Sequence, residues 1–235
     1  MTLKPDASQI KHNFGLIATS YDRANDVMTA GLLRKWRARL VQLSDIRPGY
    51  NVLDTATGTG DLAFLFESRV GPAGHVVGLD FCPEMLAVAQ TKAIRRQSRV
   101  DWVSGDVMAL PYADRLFHLA TISYGIRNVA EPGRALSELA RVVRPGGKVM
   151  ILETGMPEPG LWKTIYTAYF ERLLPRIGGA VSGHQGPYRF LQRSTLMFPS
   201  GAGFLDWMAQ TNQFQDLAFE PLWGGISYLY HGVVA

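Results

Sequence analysis

Carboxylates and hydroxyls recur at one place in the pattern of this chain: the end of a short apolar run. Asp54, Asp80, Asp106, Ser123 and Glu153 each close such a run or follow it closely. Between Asp54 and the next run lies Gly58-Thr59-Gly60, a turn that lets backbone approach a ligand and leaves unpaired N–H groups at the helix that follows. Glycines, an upstream carboxylate and a downstream carboxylate in this arrangement suit a nucleotide-like cofactor.

Two readings of the turn compete. Gly58, Gly60 and Ala63 satisfy the dinucleotide fingerprint Gly-x-Gly-x-x-Ala, with Asp80 about 20 residues on. Two residues tilt the balance toward a sulfonium cofactor. Asp54 stands where a carboxylate meets an ammonium group, and Asp61 opens the helix, where it suits the dipole but repels a pyrophosphate. No Tyr-x-x-x-Lys pair for hydride transfer occurs. On this reading Asp80, followed by Phe81, accepts from the two hydroxyls of a ribose. Asp106 and the backbone of Val107 sit where an adenine belongs.

The elements that must position these residues follow from the same pattern. Strands are expected at 51–55, 75–79, 100–103, 116–123 and 148–153, alternating with helices at 62–69, 84–94 and 133–143. Pro83 opens the second of these helices. Arg141 and Arg144 are expected in the last turn of the third, which Pro145-Gly146-Gly147 should stop. Strand and crossover in regular succession predict an α/β, doubly wound, mainly parallel sheet with ligands at the carboxyl ends of its strands. A helical cap is expected over about 8–47, with Trp36, Leu40 and Leu43 at helical spacing. Over about 155–203 the pattern changes to a long aromatic stretch, read as an inserted helical lid within one domain spanning 1–235. A helix at 204–211 and strands at 214–220 and 225–234 complete the sheet.

Composition narrows the function. The 235 residues are 47% apolar and 19% charged, ordinary for one globular domain. Cys82 is the single cysteine, so an internal disulfide and a thiolate-rich metal site are excluded, no metal is expected, and a reducing, cytoplasmic setting fits. No apolar run approaches the ~20 residues of a membrane span. A net charge of +4 and a pI of about 9.3 suit an anionic lipid surface or a nucleic acid, or simply scattered basic residues. Because Lys and Arg are dispersed and no base-flipping motif occurs, no nucleic-acid partner is expected.

Several segments resemble the quinone-biosynthetic methyltransferases that act on demethylmenaquinone and on the related ubiquinone precursor. They are Phe-Gly-Leu-Ile-Ala-Thr-Ser-Tyr-Asp-Arg-Ala-Asn (14–25), Val-Leu-Asp-Thr-Ala-Thr-Gly-Thr-Gly-Asp (52–61) and Ser-Tyr-Gly-Ile-Arg-Asn-Val (123–129). Arg-Val-Val-Arg-Pro-Gly-Gly (141–147) and the Tyr-Arg-Phe-Leu opening of 188–199 add to them; the third segment is the most specific. The resemblance covers essentially the whole chain. It implies a seven-stranded sheet with the last strand antiparallel, S-adenosylmethionine as methyl donor and a prenylated quinol as acceptor. It also implies cofactor contacts at Thr59, Asp80, Asp106, Val107 and Ser123. Residues 30–33, 182–186 and 200–203 depart from the family pattern, which bears on the choice of quinone.

Carbon methylation needs an electron-rich ring, hence a base or an oxyanion stabiliser beside the ring hydroxyl. Arg127 is expected to stabilise the quinolate and Asn128 to orient it. Tyr21, Asp22, Glu153 and His184 are the candidates for proton transfer, although Asp22 also reads as a helix cap and Glu153 as a partner of Arg127. The aromatic run at 162–170 reads as core or as a wall for an apolar acceptor, with transient contact to a membrane surface and room for a homodimer. A methyltransferase for a small soluble phenol or amine, and an inactive cofactor-binding subunit, are the competing readings.

Overall fold

The computed structural model describes residues 6–235. Asp6 accepts from Ser8 N at 2.9 Å and so caps α1 (Ala7–Ile17). A single turn over Ala18–Ser20 leads to α2 (Tyr21–Thr29), which ends because Ala30 and Gly31 both take left-handed φ, and α3 (Leu32–Leu43) follows. The expected cap is thus three short helices rather than one. Trp36 and Leu40 of α3 are buried against the sheet, as their spacing demands.

The core alternates β1 (Asn51–Thr55), α4 (Asp61–Val70), β2 (His75–Asp80), α5 (Pro83–Arg96), β3 (Asp101–Ser104), β4 (Phe117–Ser123), α6 (Pro132–Val142) and β5 (Val143–Thr154). After the helical segment described next come α10 (Ala202–Gln210), β6 (Phe214–Leu222) and β7 (Ser227–Val234). The seven strands lie in the order β3-β2-β1-β4-β5-β7-β6. β7 runs antiparallel to both neighbours and the other pairs are parallel. Chain direction across the sheet reverses between β1 and β4, so the crevice opens where those two strands end. Strands buried on both faces explain the continuous apolar runs: Val52, Leu53, Leu119, Ala120 and Ile122 are all fully buried.

One boundary differs from expectation. The Pro145-Gly146-Gly147 segment does not stop α6 but lies inside β5, whose Val143 pairs with Phe117 before a register shift resumes pairing at Lys148 with Leu119. Gly146 takes φ +77°, and a Cβ on Gly147 would meet His118 O at 2.8 Å, so these glycines build a bulge. Arg144 consequently sits in the strand, and Arg141 alone occupies the last turn of the helix. Strand pairing with β4 captured residues that local punctuation assigns to a loop.

Between β5 and α10 the chain forms α7 (Leu161–Ala168), a π-helical turn (Tyr169–Leu173), α8 (Leu174–Ser182) and α9 (Gly186–Met197). Pro175, lacking an N–H, shifts the hydrogen-bond ladder just before it, which accounts for the π turn. Tyr166, Phe170, Leu174 and Tyr188 from this segment share an apolar cluster with Ile17, Ala24 and Met28 from α1 and α2.

Candidate active site

Two cavities adjoin at the carboxyl ends of the strands. The smaller, about 100 Å³, is floored by the Gly turn after β1, by Asp80 and Phe81 after β2, by 105–108 after β3 and by 123–125 after β4; α1 roofs it with Ala7, Ile10 and Phe14. The larger, about 550 Å³, is walled by α1, α2, α3 and the α7–α9 segment, and its lining is overwhelmingly apolar. Phe14, Tyr21 and Tyr124 line both and form the partition. Phe14 meets Tyr21 edge to face at 6.1 Å.

Backbone conformation builds the small cavity. Gly58 takes φ +58°, and two non-glycine residues, Ala56 at φ +48° and Tyr124 at φ +58°, also occupy the left-handed region. Such positions persist only where the surroundings enforce them, and they gather at functional sites. Here the turn after β1 and the exit of β4 press together: a Cβ on Gly125 would lie 2.5 Å from that of Ala56.

Asp80 organises the floor. Its Oδ2 accepts from Gly58 N at 2.7 Å and its Oδ1 from Cys82 N at 2.9 Å, so it shapes the turn while each oxygen keeps a lone pair for a ligand. Burial pushes its pKa up to about 6, against those two hydrogen bonds. Asp54 is 1% exposed and accepts from Thr57 Oγ1 at 2.6 Å and Thr121 Oγ1 at 2.7 Å. Burial pushes it up to about 6 as well. It lies behind the turn, outside the cavity lining.

The sequence-expected residues divide accordingly. Gly58, Asp80, Phe81, Asp106, Val107, Ser123 and Asn128 line the small cavity, and Tyr21 and Arg127 line the large one, Tyr21 being shared. Ser123 Oγ and Asn128 Oδ1 are buried without a partner, and Asp106 Oδ1 accepts from Met108 N at 2.8 Å. Thr59 and Gly60 face elsewhere. A Cβ on Gly60 would run into the Trp102 indole, so that glycine serves packing against β3. Thr59 Oγ1 donates to Asp22 Oδ1 at 2.5 Å.

Glu153 is not free. Arg127 Nη1 donates to its Oε1 at 2.5 Å, and Thr154 N donates to the same atom at 2.8 Å. Both partners of this ion pair are buried, which costs desolvation that only close pairing offsets. Arg127 Nη1 also donates to Tyr124 O at 2.7 Å, while Arg127 Nε, buried, has no partner. His184 is exposed between α8 and α9, away from both cavities. Burial raises the pKa of Tyr21 and of Tyr124, so both hold their protons.

Sequence reasoning missed the partition. Tyr124 falls in the most specific segment yet carried no assigned role; its hydroxyl lies 2.9 Å from Ser227 Oγ at the start of β7. Phe14 likewise sat in a quoted segment without a role. Lys92 gave no signal at all, standing at a helical position indistinguishable from a solvated lysine. It donates to Asp22 Oδ2 at 2.9 Å and to Asp61 Oδ1 at 2.5 Å. Burial opposes it, but the Arg37 guanidinium and the Lys92 ammonium together hold the Asp61 carboxyl below the usual range.

The small cavity fits a sulfonium nucleoside. A carboxylate with spare lone pairs suits a ribose diol, Leu79, Val107 and Met108 suit a flat base, and unpartnered Ser123 Oγ and Asn128 Oδ1 are polar groups awaiting partners. Among the described residues, no group of three or more His, Cys, Asp or Glu side chains gathers to hold a metal ion.

Comparison with known proteins agrees with this geometry. A relative from Bdellovibrio bacteriovorus, named ubiquinone/menaquinone biosynthesis C-methyltransferase UbiE, is 44% identical over 230 residues, 98% of this chain and 97% of its own. A Thermus thermophilus relative named demethylmenaquinone methyltransferase is 39% identical over 219 residues, 93% of this chain and 98% of its own. A solved SAM dependent methyltransferase from Aquifex aeolicus superposes with a TM-score of 0.61 at 16% identity, over 85% of this chain and 89% of its own, a likeness of fold alone. Residues 2–234 match the model of one family along nearly the whole length, and with the turn, the acidic strand ends and the double cavity in place, the chain belongs to the ubiE/COQ5 methyltransferase family.

Proposed function

We propose that this methyltransferase transfers a methyl group from S-adenosylmethionine to a ring carbon of a prenylated quinol, with demethylmenaquinol as the first acceptor to test and a ubiquinone precursor as the second. The observation that carries the acceptor class is the 550 Å³ apolar cavity sharing a wall with the donor site. Pockets for drug-sized ligands run from ~300 to 1,000 Å³, so the cavity holds a fused ring and the first part of a tail. A small soluble phenol or amine would leave most of that apolar wall unfilled.

When bound, S-adenosylmethionine supplies an electrophilic methyl group on a sulfonium centre. Asp80 would hold its ribose, Val107 and Met108 its base, and Ser123 and Asn128 its remaining polar groups. Tyr21, Tyr124 and Phe14 fix the partition and keep water from the line of transfer. Arg127 lines the acceptor cavity, where its guanidinium would donate to the ring oxygen beside the accepting carbon. A guanidinium there lowers the pKa of the ring hydroxyl, whose proton is given up to bulk water before the cavity closes, and stabilises the quinolate as it forms; the ring-carbon proton that the methyl group displaces leaves to water in turn. Glu153 holds the guanidinium in place, and Tyr21, with its pKa raised, offers a hydrogen bond rather than a base.

α1 roofs the donor cavity with Ala7, Ile10 and Phe14, so it is the element that would move as the donor enters and leaves. The α7–α9 segment then acts as a lid over the acceptor. At its rim Val27, Trp162, Ile165 and Trp223 line the large cavity and are each 42% to 58% exposed, an apolar border suited to resting on the cytoplasmic face of a membrane while a tail slides in. Among the described residues no helix is long and apolar enough to cross a membrane.

The test is incubation of the protein with methyl-labelled S-adenosylmethionine and a demethylated naphthoquinol or benzoquinol, followed by mass and carbon analysis of the extracted quinone. Label on a ring carbon is the expected result; label on oxygen, or none with either acceptor, overturns the proposal.

A further inference from the structure

Two helices cover the partition, and they are attached differently. α1 meets Cys82, the residue before α5, whose Sγ lies 3.8 Å from Lys11 O, and Phe14 and Ile17 pack it in apolar clusters. α2 packs Ala24 and Met28 against the α7–α9 segment, where Tyr169 Oη donates to Met28 O at 2.6 Å, and toward the donor turn it is fastened by charge. Lys92 Nζ donates to Asp22 Oδ2 at 2.9 Å, to Asp61 Oδ1 at 2.5 Å and to Thr59 Oγ1 at 3.3 Å, which exhausts its three protons. Thr59 Oγ1 in turn donates to Asp22 Oδ1 at 2.5 Å, and Arg37 Nη1 donates to Asp61 Oδ2 at 2.8 Å. Lys92, Asp22 and Thr59 therefore close a small circuit between α5, α2 and the Gly turn, and Asp61 at the start of α4 extends it from Lys92 to Arg37 of α3. Its cations are mostly covered: the Lys92 and Arg37 side chains are 18% and 12% exposed.

The circuit joins parts that the chemistry uses separately. Thr59 lies beside Gly58 in the donor turn, and Asp22 follows Tyr21, which lines both cavities. We propose that Lys92 is a positioning residue that pins α2 to the donor turn, so that Tyr21 stays at the partition while α1 rises and falls to exchange the donor. Without the ammonium, Asp22 and Asp61 lose the one cation that bridges them, and Arg37 remains on Asp61 alone. Like charge then pushes α2 off the turn. An arginine keeps the charge and restores the tie.

The proposal rests on the assignment of the small cavity to the donor, and its test separates the two. Amide hydrogen exchange is followed on the unliganded full chain for the wild type, Lys92→Met and Lys92→Arg. In Lys92→Met, exchange across Tyr21–Thr29 should rise at least tenfold with the strands unchanged, and Lys92→Arg should return it to within threefold of wild type. In turnover, Lys92→Met should lower kcat about tenfold or more while the Kd for S-adenosylmethionine, by calorimetry without acceptor, rises only about threefold. Unchanged exchange in α2, or loss of protection throughout the chain in both variants, would overturn the positioning role. Absence of donor binding in the wild type would instead overturn the assignment of the cavity, leaving the exchange result to stand for the tie itself.

Discussion

The proposed donor and acceptor cavities share three side chains yet are built on opposite plans. The donor side is backbone and carboxylate: a left-handed turn, strand ends, and Asp80 clamping Gly58 and Cys82 in place. The acceptor side is mostly helix faces drawn from 13–36 and 162–191, closed by Tyr124, Arg127 and Thr154 at or after the ends of β4 and β5 and by Trp223, Ile226 and Ser227 where β6 turns into β7. Strand ends in a parallel sheet are held by hydrogen bonds on both sides and make a rigid reference for a polar cofactor. Apolar helix faces make a compliant wall for a substrate recognised mainly by shape. The contrast teaches that donor binding should respond sharply to single polar changes, and acceptor binding to volume and to the tail.

The largest break comes at the junction. Arg127→Met leaves Glu153 buried without its cation and should cost about 3–5 kcal/mol, read by urea unfolding. Adding Glu153→Leu should recover most of that loss in stability while activity stays lost, which separates the structural from the chemical role of the pair. Next, Asp80→Ala removes both the clamp on the turn and the proposed ribose acceptor. Donor affinity should fall about a hundredfold by calorimetry, in keeping with ~3 kcal/mol for a charged hydrogen-bonding group. The acceptor KM at saturating donor should hardly move; an equal rise in both would erase the division between the cavities.

Acidity gives a third, intermediate handle. Asp54 and Asp80 titrate near 6 when folded against an ordinary 3.8, so the folded chain holds more protons than the unfolded one between those values. Their contribution to stability is therefore fully present below 3.8 and is lost as pH rises through 6. With Asp80 as the proposed ribose acceptor, donor binding uses its ionised form and runs the other way: affinity should be highest above 6 and weaken by up to tenfold per unit below it, a slope measurable by calorimetry in buffers of different ionisation heat. The smallest effect belongs to the rim. Trp223→Ser, at a 58% exposed position, should weaken partition onto anionic vesicles by about fivefold, roughly 1 kcal/mol of apolar burial, and leave donor affinity alone.

How much was legible follows the same division. β1 is Asn51–Thr55 as its residues suggest, and the acidic strand ends fall around one crevice, because apolar runs and turn residues encode a parallel sheet locally. The end of α6 was not legible, since β4 decides it by pairing with Val143. Gly60 looks like a ligand glycine and is instead kept small by Trp102 of a strand some 40 residues on. Arg127 and Glu153 were readable as a pair, but not as a pair that leaves Nε unpartnered. The acceptor wall was least legible. Periodicity marks Tyr166 and Phe170 as apolar-facing, and only tertiary packing decides whether such a face meets a core or a hole. Lys92 shows the limit, because its meaning lies wholly in Asp22 and Asp61, distant in sequence.

The central claim is that the large apolar cavity is the acceptor site and shares its partition with the donor. The most direct measurement is the ratio of kcat/KM for a prenylated demethylnaphthoquinol to that for the same ring without its tail, each followed by transfer of a labelled methyl group. A ratio of about a hundred or more is predicted, because the tail would exchange water for the apolar wall. Equal values for the two would contradict the claim and move the acceptor out of that cavity.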